Sequence, residues 1–169
     1  MKTIFFLLSL SLLSITGFSQ SSTVNSPEEL PVYLRFPTLP QFTLYNISDS
    51  VAFTRDNLKK NTPTVFFVFS PDCEHCQHET ENLKQNINLF KNAQIVMLSY
   101  LPWEEIKKFY GIYHIANYPQ ITMARDTKFF FPVYFKVRNL PSIFVYDKKG
   151  NFKKAFEGSV KMSDIASQL

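Results

Sequence analysis

A continuous apolar run, residues 64–69, and a second of the same type, residues 94–99, lack the alternation of a half-buried strand. They predict strands buried on both faces of a sheet. Between them Cys76, Thr80, Leu83, Ile87 and Phe90 recur at spacings of four, three, four and three, which is one stripe of a helix. Gln77, Glu81, Lys84, Gln85 and Asn88 fall on the other side and read as solvated. Cys76 therefore heads the buried stripe, and Cys73 sits one turn earlier at an exposed tip. Residues 103–113 predict a second helix with Ile106, Tyr110 and Tyr113 on one face. Residues 119–124 read as a short strand, and Asp126 as the cap of a stubby segment through Phe131. Residues 142–146 and 152–156 read as two strands joined at 147–150, and residues 162–169 as a closing helix.

Upstream, residues 42–45 and 51–54 are short β-prone runs flanking 46–50, as in a hairpin, with a helical turn at 56–60. Residues 20–41 carry Pro27, Pro31, Pro37 and Pro40 and read as an extended lead-in without helix. The order is a hairpin, then β, α, β, α, β, α, β, β, α: a mixed α/β sheet with helices on both faces, in one domain over 42–169.

The first nineteen residues stand apart. Lys2 gives a basic start, residues 3–15 are almost all Phe, Leu, Ile and Ser, and Gly17 and Ser19 supply the small residues of a cleavage site before Gln20. This predicts a secretory signal peptide over 1–19, cut after Ser19, and a periplasmic or secreted protein. Its apolar run is shorter than the roughly 20 residues of a membrane span, and no later segment is long or apolar enough, so no stable membrane insertion is expected after cleavage. The net charge of +4 is mild and spread along the sequence, and it gives no footprint for nucleic acid. Eighteen phenylalanines predict a heavily packed core.

The chemistry concentrates in Ser70, Pro71, Asp72, Cys73, Glu74, His75 and Cys76, which hold both cysteines of the chain at a strand-to-helix junction. Thiols at i and i+3 face the same way on a helix and can alternate between dithiol and disulfide without moving the backbone. A structural staple is the competing reading. Closing so short a loop removes only about 2 kcal/mol of unfolded-state entropy, less than a long loop would, and a chain of this size folds without it.

The buried strand running into Cys-x-x-Cys, with Pro141, Ser142, Ile143, Phe144, Val145, Tyr146 and Asp147 downstream, resembles the thioredoxin superfamily. The extra helix-strand pair between Cys76 and Pro141 is similar to the exported TlpA and ResA branch with its central insertion. The resemblance implies a thioredoxin-like fold with an N-terminal β extension, and a thiol-disulfide oxidoreductase acting on protein thiols or disulfides. It implies an upstream redox partner and requires no metal or organic cofactor. It makes Pro141 a cis-proline beside the two sulfurs, with the backbone of Leu140 free to pair with an extended substrate. Asp72 replaces the usual Trp before the first cysteine, and Phe67 stands where thioredoxin has an acid; both depart from the reductase pattern. His75 matches the His of Cys-x-His-Cys centres in isomerases and periplasmic oxidants.

Disulfide exchange needs a thiolate, and the unpaired N–H groups at a helix start favour one at Cys73. His75 adds a cation when protonated, whereas Asp72 and Glu74 oppose it. Cys76, buried and protonated, needs a base to resolve a mixed disulfide, and Glu79 one turn along is the candidate. His78 reads as a solvated residue and His114 as a cap or surface residue. Residues 129–135, rich in Phe, read as core packing, with part of the run able to rim the site beside Pro141. Two other functions stay open: a metal-binding module using Cys73, Cys76 and His114, and a binding module whose disulfide does not turn over. A peroxiredoxin fits less well, because Ser70 stands where that family has a Thr.

Overall fold

The two apolar runs pair in parallel at the centre of a seven-stranded sheet: β3 (Thr64–Val68) lies beside β4 (Gln94–Ser99), with Val65 opposite Ile95 and Phe67 opposite Met97. Every residue of both strands is buried, as strands without alternation require. These features come from a computed structural model, in which residues 30–169 are described. The proposed leader, its cleavage site and the lead-in up to residue 29 lie outside the described residues.

On one side of β3, β6 (Ser142–Tyr146) runs antiparallel, with Thr64 opposite Tyr146, and β7 (Phe152–Glu157) forms the edge. On the other side β4 is followed by β5 (Ile121–Arg125) in parallel, then by the hairpin β1 (Thr43–Asn46) and β2 (Ala52–Thr54). The strand order is β2-β1-β5-β4-β3-β6-β7.

Five helices cover the sheet among the described residues: α1 (Val32–Arg35), α2 (Glu74–Gln85), α3 (Trp103–Ile112), α4 (Phe130–Tyr134) and α5 (Met162–Ala166). Alternate side chains of β3 divide the interior into two cores. Val65 and Phe67 pack with Cys76 and Leu83 of α2, Ile106 and Phe109 of α3, and Ile165 of α5. Phe66 and Val68 face Phe42, Phe131, Phe135 and Tyr146. In this second core Phe135 stacks on Phe144 with centroids 3.7 Å apart, and Phe66 meets Phe131 at 4.9 Å. Each such ring contributes about 1.5–3 kcal/mol by leaving water.

Three local expectations are corrected. The lead-in is not extended throughout: α1 forms one turn directly after Pro31, where a helix start needs no backbone donor. Tyr33 pins that turn by edge contacts to Phe135, Phe144 and Phe152, and the N–H groups of Leu39 and Phe152 bond to Gly150 and Pro37 carbonyls at 2.8 Å each. The α2 stripe breaks at Asn86, so Phe90 reaches the core from a separate 3-10 turn, Ile87–Phe90. On α3, Ile106 and Phe109 are buried, and Tyr110 and Tyr113 pack half-buried against the same core, so the expected face is present and Phe109 is added to it. The helix α4 starts only at Phe130, after Phe129 as its N-cap, and extends to Tyr134. Asp126 is not its N-cap residue but reaches it from upstream, its buried carboxylate accepting the backbone N–H of Phe131 at 2.7 Å and of Lys128 at 3.2 Å.

Candidate active site

β3 delivers the chain to a tight turn that starts α2. The N–H of Phe69 donates to Leu98 at 3.0 Å, extending the β3–β4 pairing, and the N–H of Cys73 donates back to Ser70 at 3.2 Å. The Ser70 hydroxyl donates to the Asp72 carboxylate, and Gln77 Nε2 donates to the Pro71 carbonyl at 2.8 Å. The turn is therefore clamped from both of its ends.

Cys73 occupies the N-cap position of α2 with extended backbone, and its Sγ accepts the backbone N–H of Cys76 at 3.3 Å. This is one of the four N–H groups that a helix start leaves unpaired, and it points at the sulfur. Cys73 is half-buried; Cys76 is fully buried behind it. Burial pushes the Cys76 thiol far up from its ordinary range, helped by the neighbouring Cys73, so Cys76 holds its proton. Both cysteines are thiols in this structure. Thr80 Oγ1 donates to the Cys76 carbonyl at 2.8 Å, fastening the second turn.

The facing wall is the loop into β6. The Leu140–Pro141 peptide is cis, and the Leu140 carbonyl lies 3.8 Å from Cys73 Sγ, accepting its S–H. In the dithiol form that carbonyl is thus engaged by the Cys73 thiol. The loop is braced by Ser142 Oγ donating to the Asn139 carbonyl at 2.7 Å, Asn139 Nδ2 donating to Glu157 at 2.9 Å, and Gly158 N–H donating to the Pro141 carbonyl at 2.8 Å.

Glu79 is 3% exposed, three residues after Cys76 on the buried side of α2, and its Oε1 accepts the N–H of Val160 at 3.0 Å. Sequence spacing placed Glu79 on the Cys76 edge. It gave no sign of Val160, which arrives from the loop between β7 and α5.

The histidines divide. His75 is exposed in the first turn of α2, beside the cysteines in sequence and outside their hydrogen bonds. His78 is solvated, with Nε2 3.7 Å from Glu74 Oε1. His114 sits exposed at φ +51°, before the 3-10 turn Ile115–Asn117. Among the described residues no three His, Cys, Asp or Glu side chains gather as a metal site, so His114 does not join the cysteines. Of residues 129–135, Phe131, Pro132, Tyr134 and Phe135 are buried. The exposed Phe129 and Val133 line a cleft with Val32, Phe42 and Gln41. A groove of about 420 Å³ runs from Pro71, Asp72 and Gln77 to Phe109, Ile112 and Tyr113 of α3 and its end. Nothing in the sequence pointed to it, because its two walls are distant in the chain.

A strand entering a Cys-x-x-Cys helix opposite a cis-proline loop, in a mixed sheet flanked by helices, defines a thioredoxin-like fold. Solved structures bear this out. The chain is similar to Mycobacterium tuberculosis DsbF, in mixed oxidised and reduced forms, at 21% identity and TM-score 0.65 over 78% of this chain and 96% of that one. A secreted M. tuberculosis disulfide oxidoreductase homologous to Escherichia coli DsbE matches at 17% identity and TM-score 0.62 over 76% and 93%. A thioredoxin-like protein from Aeropyrum pernix matches at 17% and 0.60 over 82% and 93%. No protein-family model matches the sequence, and no curated protein does.

Proposed function

We propose that this protein is an exported thiol-disulfide oxidoreductase of the TlpA and ResA type, exchanging a Cys73/Cys76 disulfide with the cysteines of other proteins. One observation carries the reading: Cys73 is accessible and receives a helix-start N–H, while Cys76 is buried behind it and keeps its proton. One sulfur is thereby set up to react first and the other to follow.

In the reducing direction the Cys73 thiolate attacks a substrate disulfide, forming a Cys73–substrate bond and releasing one substrate thiolate, which takes up a proton. Cys76 then gives its proton to Glu79 and attacks Cys73 Sγ. The Cys73–Cys76 disulfide forms and the second substrate thiolate leaves. The substrate gains two electrons, the protein loses two, and an upstream redox partner restores the dithiol. The same steps reversed oxidise a substrate dithiol.

His75, exposed in the first turn, tunes the charge around the sulfurs. Pro141 and Leu140 form the wall along which a substrate segment lies; the Leu140 carbonyl becomes available when Cys73 gives up its S–H. Export rests on the leader at residues 1–19.

The test is trapping. A Cys76→Ser variant produced with its leader stalls after the first step, so it accumulates mixed disulfides with other proteins through Cys73. These vanish when Cys73→Ser is added. The exported protein begins at Gln20. A Cys76→Ser protein that captures nothing, or a mature chain that retains residues 1–19, refutes the corresponding half of the reading.

A further inference from the structure

The mild positive charge, evenly spread along the sequence, is not evenly spread in the fold. Lys59 and Lys60 precede β3, while Lys148 and Lys149 occupy the turn between β6 and β7. Because Thr64 pairs with Tyr146, the start of β3 lies beside the end of β6, and the two lysine pairs converge. With Arg55 they line a pocket of about 630 Å³ in which Asp56 is the one acid. All four lysines are exposed, and no carboxylate lies within ion-pair distance of any of them among the described residues.

Both lysine-bearing loops are held by polar anchors. Gln94 is 8% exposed; its Oε1 accepts the Lys59 N–H at 2.8 Å, and its Nε2 donates to the Lys59 carbonyl at 3.1 Å and to Thr64 Oγ1 at 3.0 Å. Asp147 accepts the N–H groups of Lys149 and Asn151 at 2.8 and 2.9 Å. Four unpaired like charges are thus kept together by the backbone, and their mutual repulsion is relieved by an anion.

The donor set selects the kind of anion. A planar carboxylate is matched best by a guanidinium fork, and the one fork here is occupied. Arg55 Nη1 donates to the Leu39 carbonyl, and Nε and Nη2 face Gln41, whose amide oxygen turns toward them. What remains are ammonium groups, point charges with rotatable donors that suit tetrahedral phosphate oxygens. The volume lies within the range of small-ligand pockets.

We propose that this pocket binds a compact polyphosphate-type anion, carried either by a free molecule or by a lipid headgroup. It lies at the N-terminal end of β3, whereas Cys73 follows the C-terminal end, so an occupant leaves the thiols uncovered.

The probe is inorganic tripolyphosphate, titrated calorimetrically into the purified exported protein at low salt, with citrate as the carboxylate comparison. Binding is expected to weaken as salt rises. Lys59→Gln/Lys60→Gln and Lys148→Gln/Lys149→Gln should each weaken it by about tenfold or more, as expected for losing two charge-assisted contacts. Lys107→Gln/Lys108→Gln, on α3, should leave it unchanged. Co-sedimentation with phosphatidylcholine vesicles containing phosphatidylinositol 4,5-bisphosphate, whose headgroup carries several phosphate groups, reversed by tripolyphosphate, assigns the headgroup; titration without co-sedimentation assigns the free anion. The proposal is overturned if tripolyphosphate does not bind, if citrate binds as tightly, or if the α3 control weakens binding as much as the pocket variants. Because the substituted lysines are exposed, unchanged thermal melts show that the variants fold.

Discussion

Replacing Glu79 by Gln separates a chemical role from a structural one, because the two side chains have the same shape and both can accept from Val160. The 3.0 Å bond from the Val160 N–H survives through the amide oxygen, losing only its charge-assisted part, which costs about 1 kcal/mol. For a chain of this size that lowers the Tm by about 3 °C. The amide cannot take a proton at neutral pH, and Cys76, whose thiol burial holds protonated, then lacks its acceptor. General-base contributions of this kind run to about 10²-fold or more. The assay is stopped-flow reaction of the reduced protein with an aromatic disulfide whose thiolate absorbs. Cys73 releases one thiolate on attack, and Cys76 releases the second on resolving the mixed disulfide. In Glu79→Gln the first phase should keep its wild-type rate within about twofold and the second should slow by about 10²-fold. A second phase at the wild-type rate refutes Glu79 as the proton acceptor and leaves it only its bond to Val160.

Further outcomes can be read from stability. Asp126→Ala strands the N–H groups of Phe131 and Lys128 at the start of α4, so thermal unfolding should show a loss of about 3 kcal/mol, or roughly 10 °C in Tm. Because burial raises the Cys76 thiol above its ordinary 9.0, the unfolded chain ionises first. Stability of the reduced protein is therefore complete below pH 9.0 and falls as pH rises beyond it, and Cys76→Ala should flatten that fall in urea titrations. Asp147 behaves in the opposite sense. Its bonds from Asn151 and Lys149 lower it from 3.8, so its contribution is present above that pH and is lost as pH falls below it. The difference in urea midpoint between wild type and Asp147→Ala should shrink as the buffer is acidified through this window.

The elements that could be read from sequence were those whose pattern has one structural solution. β3 and β4 lie where continuous apolar runs predicted them, because an uninterrupted run must be buried on both faces, and β6 lies where a strand of a hairpin was expected. The hairpin of β1 and β2 was visible as two β-prone runs, but its attachment to β5 was not, since strand order depends on contacts between distant segments. The turn α1 was hidden by its flanking prolines; Tyr33 holds it through rings that lie far along the chain. At the site, spacing alone placed Cys73 at the helix start with Cys76 buried behind it. The cis peptide at Pro141 was expected only by resemblance. The Leu140 carbonyl facing Cys73, the Val160 N–H on Glu79 and the convergence of the lysine pairs each join segments far apart in sequence, and no local period records them.

Central to all of this is the reversible chemistry of one cysteine pair, and its reduction potential is the most direct test. The purified protein, equilibrated in graded glutathione and dithiothreitol buffers and quenched with a thiol-alkylating reagent, should shift as a two-electron couple between two free thiols and none. Its midpoint should fall within the span of known exchange proteins, from about −270 to about −120 mV. A midpoint toward the lower end makes it a reductant; one toward the upper end makes it an oxidant or isomerase. A pair that stays fully reduced or fully oxidised across every buffer contradicts thiol-disulfide exchange as the function.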